Sequence, residues 1–451
     1  MKAPAKRSAP RKTLNAANLT TLGAERLATL LMEVSDGQAA IKRRLRLELA
    51  AEAGPADLAG ELDKRLAGLA EKRTRISWRR QKEFVRELAS LRAAIAGRLA
   101  EQDATLALEL NGRLLALADA VMARVSDSKG EVEQIFQDAV DDMGVLARAA
   151  KPAPMALAER VYEAMTADSL GLAGGMAAAA LPALDAAALA WLRQRLTEAM
   201  NRRARTSHPL RRAIQQIADA QGDVDGFIES WTEAERGEAL VGAQIAARLT
   251  AAGRLDEAGA ALDASRPRGP VRTRGTADWE TARLALLDAQ GRGEEAQEMR
   301  WAGFEERLDV EMLRAFLKRL PDFDDVEAED RAMAFARTYP NANQALRFFT
   351  QWPNVGEAAA LVLDRQSDIK GDAHEILEPA VRMLEARSPL AAALLLRTMI
   401  HDTALFRRHE RYRDAERQLL EAASLEPQIT DHGPWGTHED YLKRLASIRR
   451  F

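Results

Sequence analysis

Cysteine is absent from the 451 residues, which excludes a disulfide framework, a thiol nucleophile, iron–sulfur ligation and every zinc site that needs thiolates. Histidine is nearly absent too, and six imidazoles leave little metal chemistry. Aromatic residues make up only 5% of the chain against 47% hydrophobic and 29% charged residues. The bulk is Ala, Leu, Arg and Glu, which lose least on entering a helix, so an all-β sandwich or barrel is ruled out. Long apolar runs are missing as well. The longest uncharged stretch, Ser169 to Leu184, has 16 residues and is interrupted by Gly174, Gly175 and Pro182; it is too short to span a bilayer and reads as buried helix plus loop. The first 13 residues carry Lys2, Lys6, Arg7, Arg11 and Lys12 without the apolar block of a secretory signal. They read as a disordered basic arm, residues 1–13, in a cytoplasmic protein with no membrane partner.

What is present is helical periodicity and an uneven charge. The net charge of −3 divides into +10 over the first 100 residues and −13 over the rest, a basic head on an acidic body that concerns partners more than fold. Apolar spacing predicts helices over 24–35, 38–53, 56–71, 77–99, 103–125 and 131–149, punctuated by Gly and Pro as in antiparallel hairpins. Lys151-Pro-Ala-Pro154 reads as a boundary closing a basic N-terminal helical domain, 14–150. Prolines and glycines near 265–275 predict a long loop, and the acid-rich stretch 320–330 predicts a further break.

An internal repeat dominates the rest of the chain. One pattern recurs around Gly222, Gly253 and Gly291, which lie 31 and 38 residues apart and bracket the 34 residues of a tetratricopeptide unit. Each glycine falls where one helix must end and turn into the next. In the middle copy Ile245, Ala246 and Leu249 precede the turn and Ala258 and Leu262 follow it, the small Ala246 and Ala258 allowing close helix approach. A further copy near the C-terminus places Phe406 on its first helix and Ala415, Leu419, Ala422 and Pro427 on its second, and the stretches at 354–358 and 371–375 read as degenerate copies. The expected fold is all-α: helical hairpins forming a tetratricopeptide-like α-solenoid over 151–430 after the N-terminal helical domain, closed by a C-terminal cap over 431–451.

Three stretches carry a resemblance. They are Leu19 to Leu31 with Lys42 to Leu47; Asp219 to Ile228; and Leu390 to Leu425, containing Arg411 to Ala415, followed by Thr437 to Leu442. Together they resemble a family of uncharacterised bacterial proteins known only as a domain of unknown function, whose C-terminal part is similar to the helical region accompanying SWIM-type zinc fingers. The resemblance implies a helical, repeat-built protein without an assigned activity. Because cysteine is absent, it carries over neither the zinc site nor any DNA-binding role of the finger.

Chemistry-bearing constellations are few. Asp223, Asp225 and Gly226 resemble an EF-hand core, but Gln221 and Thr232 stand where the first and last carboxylates belong. His432 and His438 with Asp431, Glu439 and Asp440 could ligate a metal but read more simply as a capping turn. The glycines from 171 to 175 lack the Gly-Lys-Ser/Thr of a phosphate loop, and no Ser/His/Asp arrangement is visible. The reading assigns no catalytic, cofactor or metal residues. On a helix starting at Ser77, Phe84, Leu88, Leu91 and Ile95 define the buried face, and Arg79, Lys82 and Arg86, with Arg75 if the helix extends back to it, cluster opposite as a candidate anion or nucleic-acid contact. Arg202, Arg203, Arg205, Arg211 and Arg212 form a second basic cluster. The expected function is a non-catalytic scaffold binding a protein or peptide, with a nucleic-acid-associated accessory protein as the alternative and an unrecognised enzyme as the third reading.

Overall fold

The computed structural model describes residues 13–202, 208–268, 274–406 and 408–448. Nearly all of the expected basic arm, the middle of the expected loop near 265–275, and Arg203 and Arg205 lie outside the described residues. Every regular element described is a helix, with no strand among the described residues, and no helix is long and apolar enough to cross a membrane. The chain divides into two compact units, Met1–Val241 and Gly242–Phe451.

In the first unit the helices Ala24–Ser35, Ala39–Ala53, Pro55–Ala70 and Glu131–Ala150 fall almost where apolar spacing puts them. Their ends are set by local chemistry: Pro55 occupies the first turn of its helix, where a missing N–H costs nothing, and the Asp103 carboxylate accepts from the N–H groups of Thr105 and Leu106 to start Ala104–Leu115. The helix expected over 77–99 begins at Trp78 and widens into a π-helical turn at Ala94–Leu99. Polar ties run between helices. Buried Asn111 donates to the Ala139 carbonyl at 2.8 Å, and Arg92 bridges Asp138 and Asp142 at 2.6 and 2.7 Å. Lys151 does not separate domains. It adopts a left-handed φ of 48° that caps one helix just before Pro154 opens the next, and one apolar core runs from Ala51 to Ile217 across it. Of the stretch 169–184 only Met176–Ala180 is α-helical, flanked by two 3₁₀ turns.

The second unit runs through the helices Leu255–Ala264, Thr276–Ala289, Gly293–Arg307, Val310–Leu317 and Asp324–Arg337 before reaching Ala342–Gln351 and Val355–Arg365. It ends with His374–Leu384, Pro389–Leu405, Tyr412–Leu425 and His438–Ile448. Its main core gathers Phe304, Leu313, Leu346, Phe348, Phe349, Leu361 and the apolar face of Pro389–Leu405. The break expected over 320–330 is shorter than the acidic run suggests. Asp324, Asp325 and Glu327 form the first turn of Asp324–Arg337, where carboxylates meet the positive end of the helix dipole.

The three repeat glycines make the same turn. Gly222, Gly253 and Gly291 have φ of 66°, 75° and 71°, a backbone region that side chains with a Cβ enter only at a cost. In each, the residue after the glycine donates five residues back: Asp223 to Ala218, Arg254 to Leu249 and Arg292 to Leu287, all at 2.9 Å. That 6→1 bond closes a helix C-terminus and redirects the chain into the next helix. The copy at 354–358 keeps the bond, Asn354 donating to Phe349 at 3.0 Å. Gly371 does not: it precedes His374–Leu384 with φ outside the positive range, packed instead where a Cβ would lie 2.3 Å from the Thr398 carbonyl oxygen.

Candidate functional site

The basic stripe is exposed but shorter than expected. Arg79, Lys82 and Arg86 project from Trp78–Ala93, whereas Arg75 belongs to the segment before it, because Ser77 already has the extended backbone of a helix cap. That segment is held from below by Arg124, a buried guanidinium that donates to the carbonyls of Leu69 and Thr74 at 3.1 Å each. None of the four cations forms an ion pair among the described residues. Glu83 borders them, Arg79 lies 5.3 Å over the ring of Trp78, and Trp78 is 79% exposed. Nearby, partial desolvation and then Arg65, Arg124 and Arg43 hold the ammonium of the exposed Lys72 below its ordinary range. Positive charge therefore outweighs negative at this end of the unit.

The second basic cluster is structural at Arg211 and exposed at Arg202 and Arg212, the latter without an ion pair among the described residues. Arg211 is buried under Trp231, 4.6 Å from the ring, and donates to Glu235 at 2.7 Å; Arg202 pairs with Glu198. Glu235 also completes a capping box with Thr232. Burial pushes its carboxyl up, but Arg211 and the N–H and hydroxyl of Thr232 together bring it down from 4.5 to about 2. A carboxyl lowered on folding stabilises the protein fully above its unfolded value and loses that contribution as pH falls through the folded one. The expected result is an acid-induced loss of roughly 1–2 kcal/mol between pH 4.5 and 2, discounted for the carboxylate's partial exposure. Glu235→Gln should flatten that limb of a denaturant-measured stability profile and converge with the wild type near pH 2; parallel profiles would refute it.

The repeat alanines lie in the interior, and the turn glycines Gly222, Gly253 and Gly291 are exposed. Ala246, Ala258, Ala415 and Ala422 are buried, and Leu419 packs half-buried against Ala415 and Tyr441. Of the histidines, His432 shares a hydrogen bond with Glu426 at 2.8 Å, and His438 leans on Tyr441. Among the described residues no three His, Asp or Glu side chains gather as a ligand set.

A groove that sequence reasoning missed opens in the second unit around the Gly291 turn. It has a volume of about 610 Å³ between the end of Thr276–Ala289, the helix Gly293–Arg307, the end of Val310–Leu317 and Arg331. Its wall is a chain of polar ties: Gln297 donates to the Phe316 carbonyl at 3.0 Å, Arg300 to Gln297 at 3.0 Å and to Asp288 at 2.6 Å, and Arg319 reaches the same Asp288 oxygen at 3.4 Å. Arg300 is only 2% exposed; burial works against its charge and Asp288 supports it. Above this wall Trp301 packs against Phe304 and Phe316 with ring centroids 5.3 and 5.2 Å away. The Arg331 guanidinium lies 3.6 Å over the Trp301 ring without an ion pair among the described residues, and Glu294 and Glu298 are exposed on the opposite rim. The arrangement offers an apolar platform flanked by charges of both signs and no nucleophile paired with a base. The aromatic signal was present in the sequence: nine of the 22 aromatic residues fall between Trp301 and Trp352.

Compared with known proteins, the chain matches a family model over residues 9–209 and 197–449, described as a family of unknown function (DUF6880). No curated protein matches it.

Proposed function

The chain belongs to that family of unknown function, so its role has to be read from its own surfaces, and we propose that it is a non-catalytic helical scaffold that binds a protein or peptide segment in the 288–331 groove. The observation that carries this reading is the half-exposed Trp301 with Arg331 stacked on it, beside an acidic rim. Aromatic and arginine side chains in a preformed groove are the usual anchors of a protein interface, and mixed charge at the rim selects a segment carrying both signs. We read the equivalent turns at Gly222, Gly253 and Gly291 as successive units of a tetratricopeptide-like solenoid, working in the cytoplasm. Peptides selected on the immobilised full-length protein should lose affinity by about tenfold or more on Arg331→Glu, an exposed change that leaves the thermal melt unchanged, and on Trp301→Ala, which also loses packing on Phe304 and Phe316 and is compared at a temperature where it remains folded. Selected peptides that bind both variants as tightly as the wild type would remove the groove from the function.

A second reading has its own support in the exposed, unpaired Arg75, Arg79, Lys82 and Arg86 around exposed Trp78. Under this reading the first unit contacts nucleic-acid phosphates. Binding to a generic duplex or single strand would then weaken steeply with salt, and reversing the four charges would flatten the slope. An absence of binding at low salt, or an unchanged slope in the quadruple variant, leaves the stripe as a solvated face.

A further inference from the structure

A second cavity lies wholly within the first unit. The helices Ala104–Leu115 and Pro154–Ala167 stand on either side of a cleft of about 630 Å³, in the range of pockets that enclose a small organic molecule. Its floor is Phe136, Met143, Leu157 and Met176, all buried members of the unit's core. Its walls are helix positions with almost no side chain, Gly112 and Ala116 on one side and Ala164 and Ala167 on the other. Buried apolar side chains at the bottom of such a cleft form a preformed apolar surface for a ligand that enters from solvent.

Gly112 sharpens the point. It sits inside a helix, where glycine is unfavourable, and a Cβ built on it would meet nothing within 4 Å. No neighbour requires a glycine there. A larger residue would instead enter the cleft.

Three of the six rim charges are spent. Asp168 accepts from the N–H groups of Leu170, Gly171 and Ala173, Asp119 from the hydroxyl and N–H of Ser169, and Arg113 is paired with Asp63. Asp63 above all, and then Glu109 one helical turn away, raise the affinity of Arg113 for its proton; Glu109 itself has no ion pair among the described residues. Arg160 is exposed at the rim and makes no ion pair or hydrogen bond among the described residues, with Glu163 one turn further along the same helix. Arg160 is the one unpaired cation of the rim among the described residues and can hold a single compact negative charge, while the unpaired Glu109 and Glu163 repel a larger anionic head. The two methionines of the floor suit a flexible chain, since thioethers adapt to the shape that fills them.

We propose that this cleft binds an aliphatic chain ending in one carboxylate, the chain lying on Phe136, Met143 and Met176 between the small-residue walls and the carboxylate on Arg160. The site is separate from the 288–331 groove and stands or falls independently of it.

Calorimetric titration of the full-length protein with octanoate, decanoate and dodecanoate below their micelle concentrations tests it. Affinity should rise roughly fourfold for each added methylene. Arg160→Ala should weaken decanoate by about tenfold while leaving decanol unchanged, as expected for loss of a charge-assisted hydrogen bond. Gly112→Leu, or Ala167→Leu on the opposite wall, should abolish binding of both probes with a thermal melt at or above that of the wild type. No binding, affinity independent of chain length, or decylamine binding more tightly than decanoate would overturn the proposal. So would a filling variant that folds and still binds decanoate as the wild type does.

Discussion

Replacing Asp288 by alanine should destabilise the second unit by about 2–4 kcal/mol, somewhat less than the 3–5 kcal/mol typical of breaking a fully buried ion pair, because Asp288 itself is partly exposed. The cost arises on the other side of the bond. Arg300 would remain almost fully buried with Gln297 as its only other hydrogen-bond partner among the described residues, and its charge would lose the carboxylate that offsets desolvation. Urea unfolding reads the loss directly. The double change Asp288→Ala with Arg300→Met should recover most of it, since removing both members leaves no orphaned charge. A single variant as stable as the wild type, or a double variant worse than the single, would show that the pair does not sustain this part of the fold.

Phe304→Ala should cost still more, about 3–5 kcal/mol. Phe304 is fully buried, with Trp301, Phe335 and Phe348 at ring-centroid distances of 5.3, 5.9 and 5.5 Å. Three rigid rings cannot collapse into the space that alanine leaves, so the void term adds to the lost burial. Phe304→Leu keeps most of the volume and should cost well under half as much. A melt for Phe304→Ala within a degree or two of the wild type would contradict the packing.

Much of the helical framework was legible because its ends are chemical. Proline at 55 and 154, aspartate at 103 and glycine at 222, 253 and 291 mark starts and stops that depend on neighbouring residues alone. Arg75 would join the helical stripe only if the helix ran back past Ser77, and Ser77 is its cap; hydrophobic phase fixes which face is buried and is silent about where a helix begins. Lys151-Pro-Ala-Pro154 looked like a boundary for the opposite reason: the same residues that end a domain also make a tight corner inside one core.

The sites were less legible than the scaffold. Asp288 and Arg300 are twelve residues apart across a turn, outside the three- and four-residue spacings that betray partners on one helix. The first unit's cleft is harder still to see, being defined by what Gly112, Ala116, Ala164 and Ala167 lack and by helices that meet only in the folded chain. The 301–352 aromatics are a local concentration in an aromatic-poor chain, a signal that sequence reasoning passed over because aromatic content was weighed over the whole chain and not locally.

The π-helical turn at Ala94–Leu99 is in effect an insertion preserved in three dimensions. Leu91, Ile95 and Leu99 are all buried at four-residue steps, each of which would drift by about 40° around a regular α-helix, and the wider turn absorbs that drift. Beyond it Gln102 reaches the Ala51 carbonyl at 3.0 Å and Asp103 opens the next helix. Deleting one residue within the turn would restore an α-helix and swing both by about 100°. A relative one residue shorter here would therefore show a gap in the middle of a helix, and would have to tie that helix to Ala51 and begin the next one with different residues.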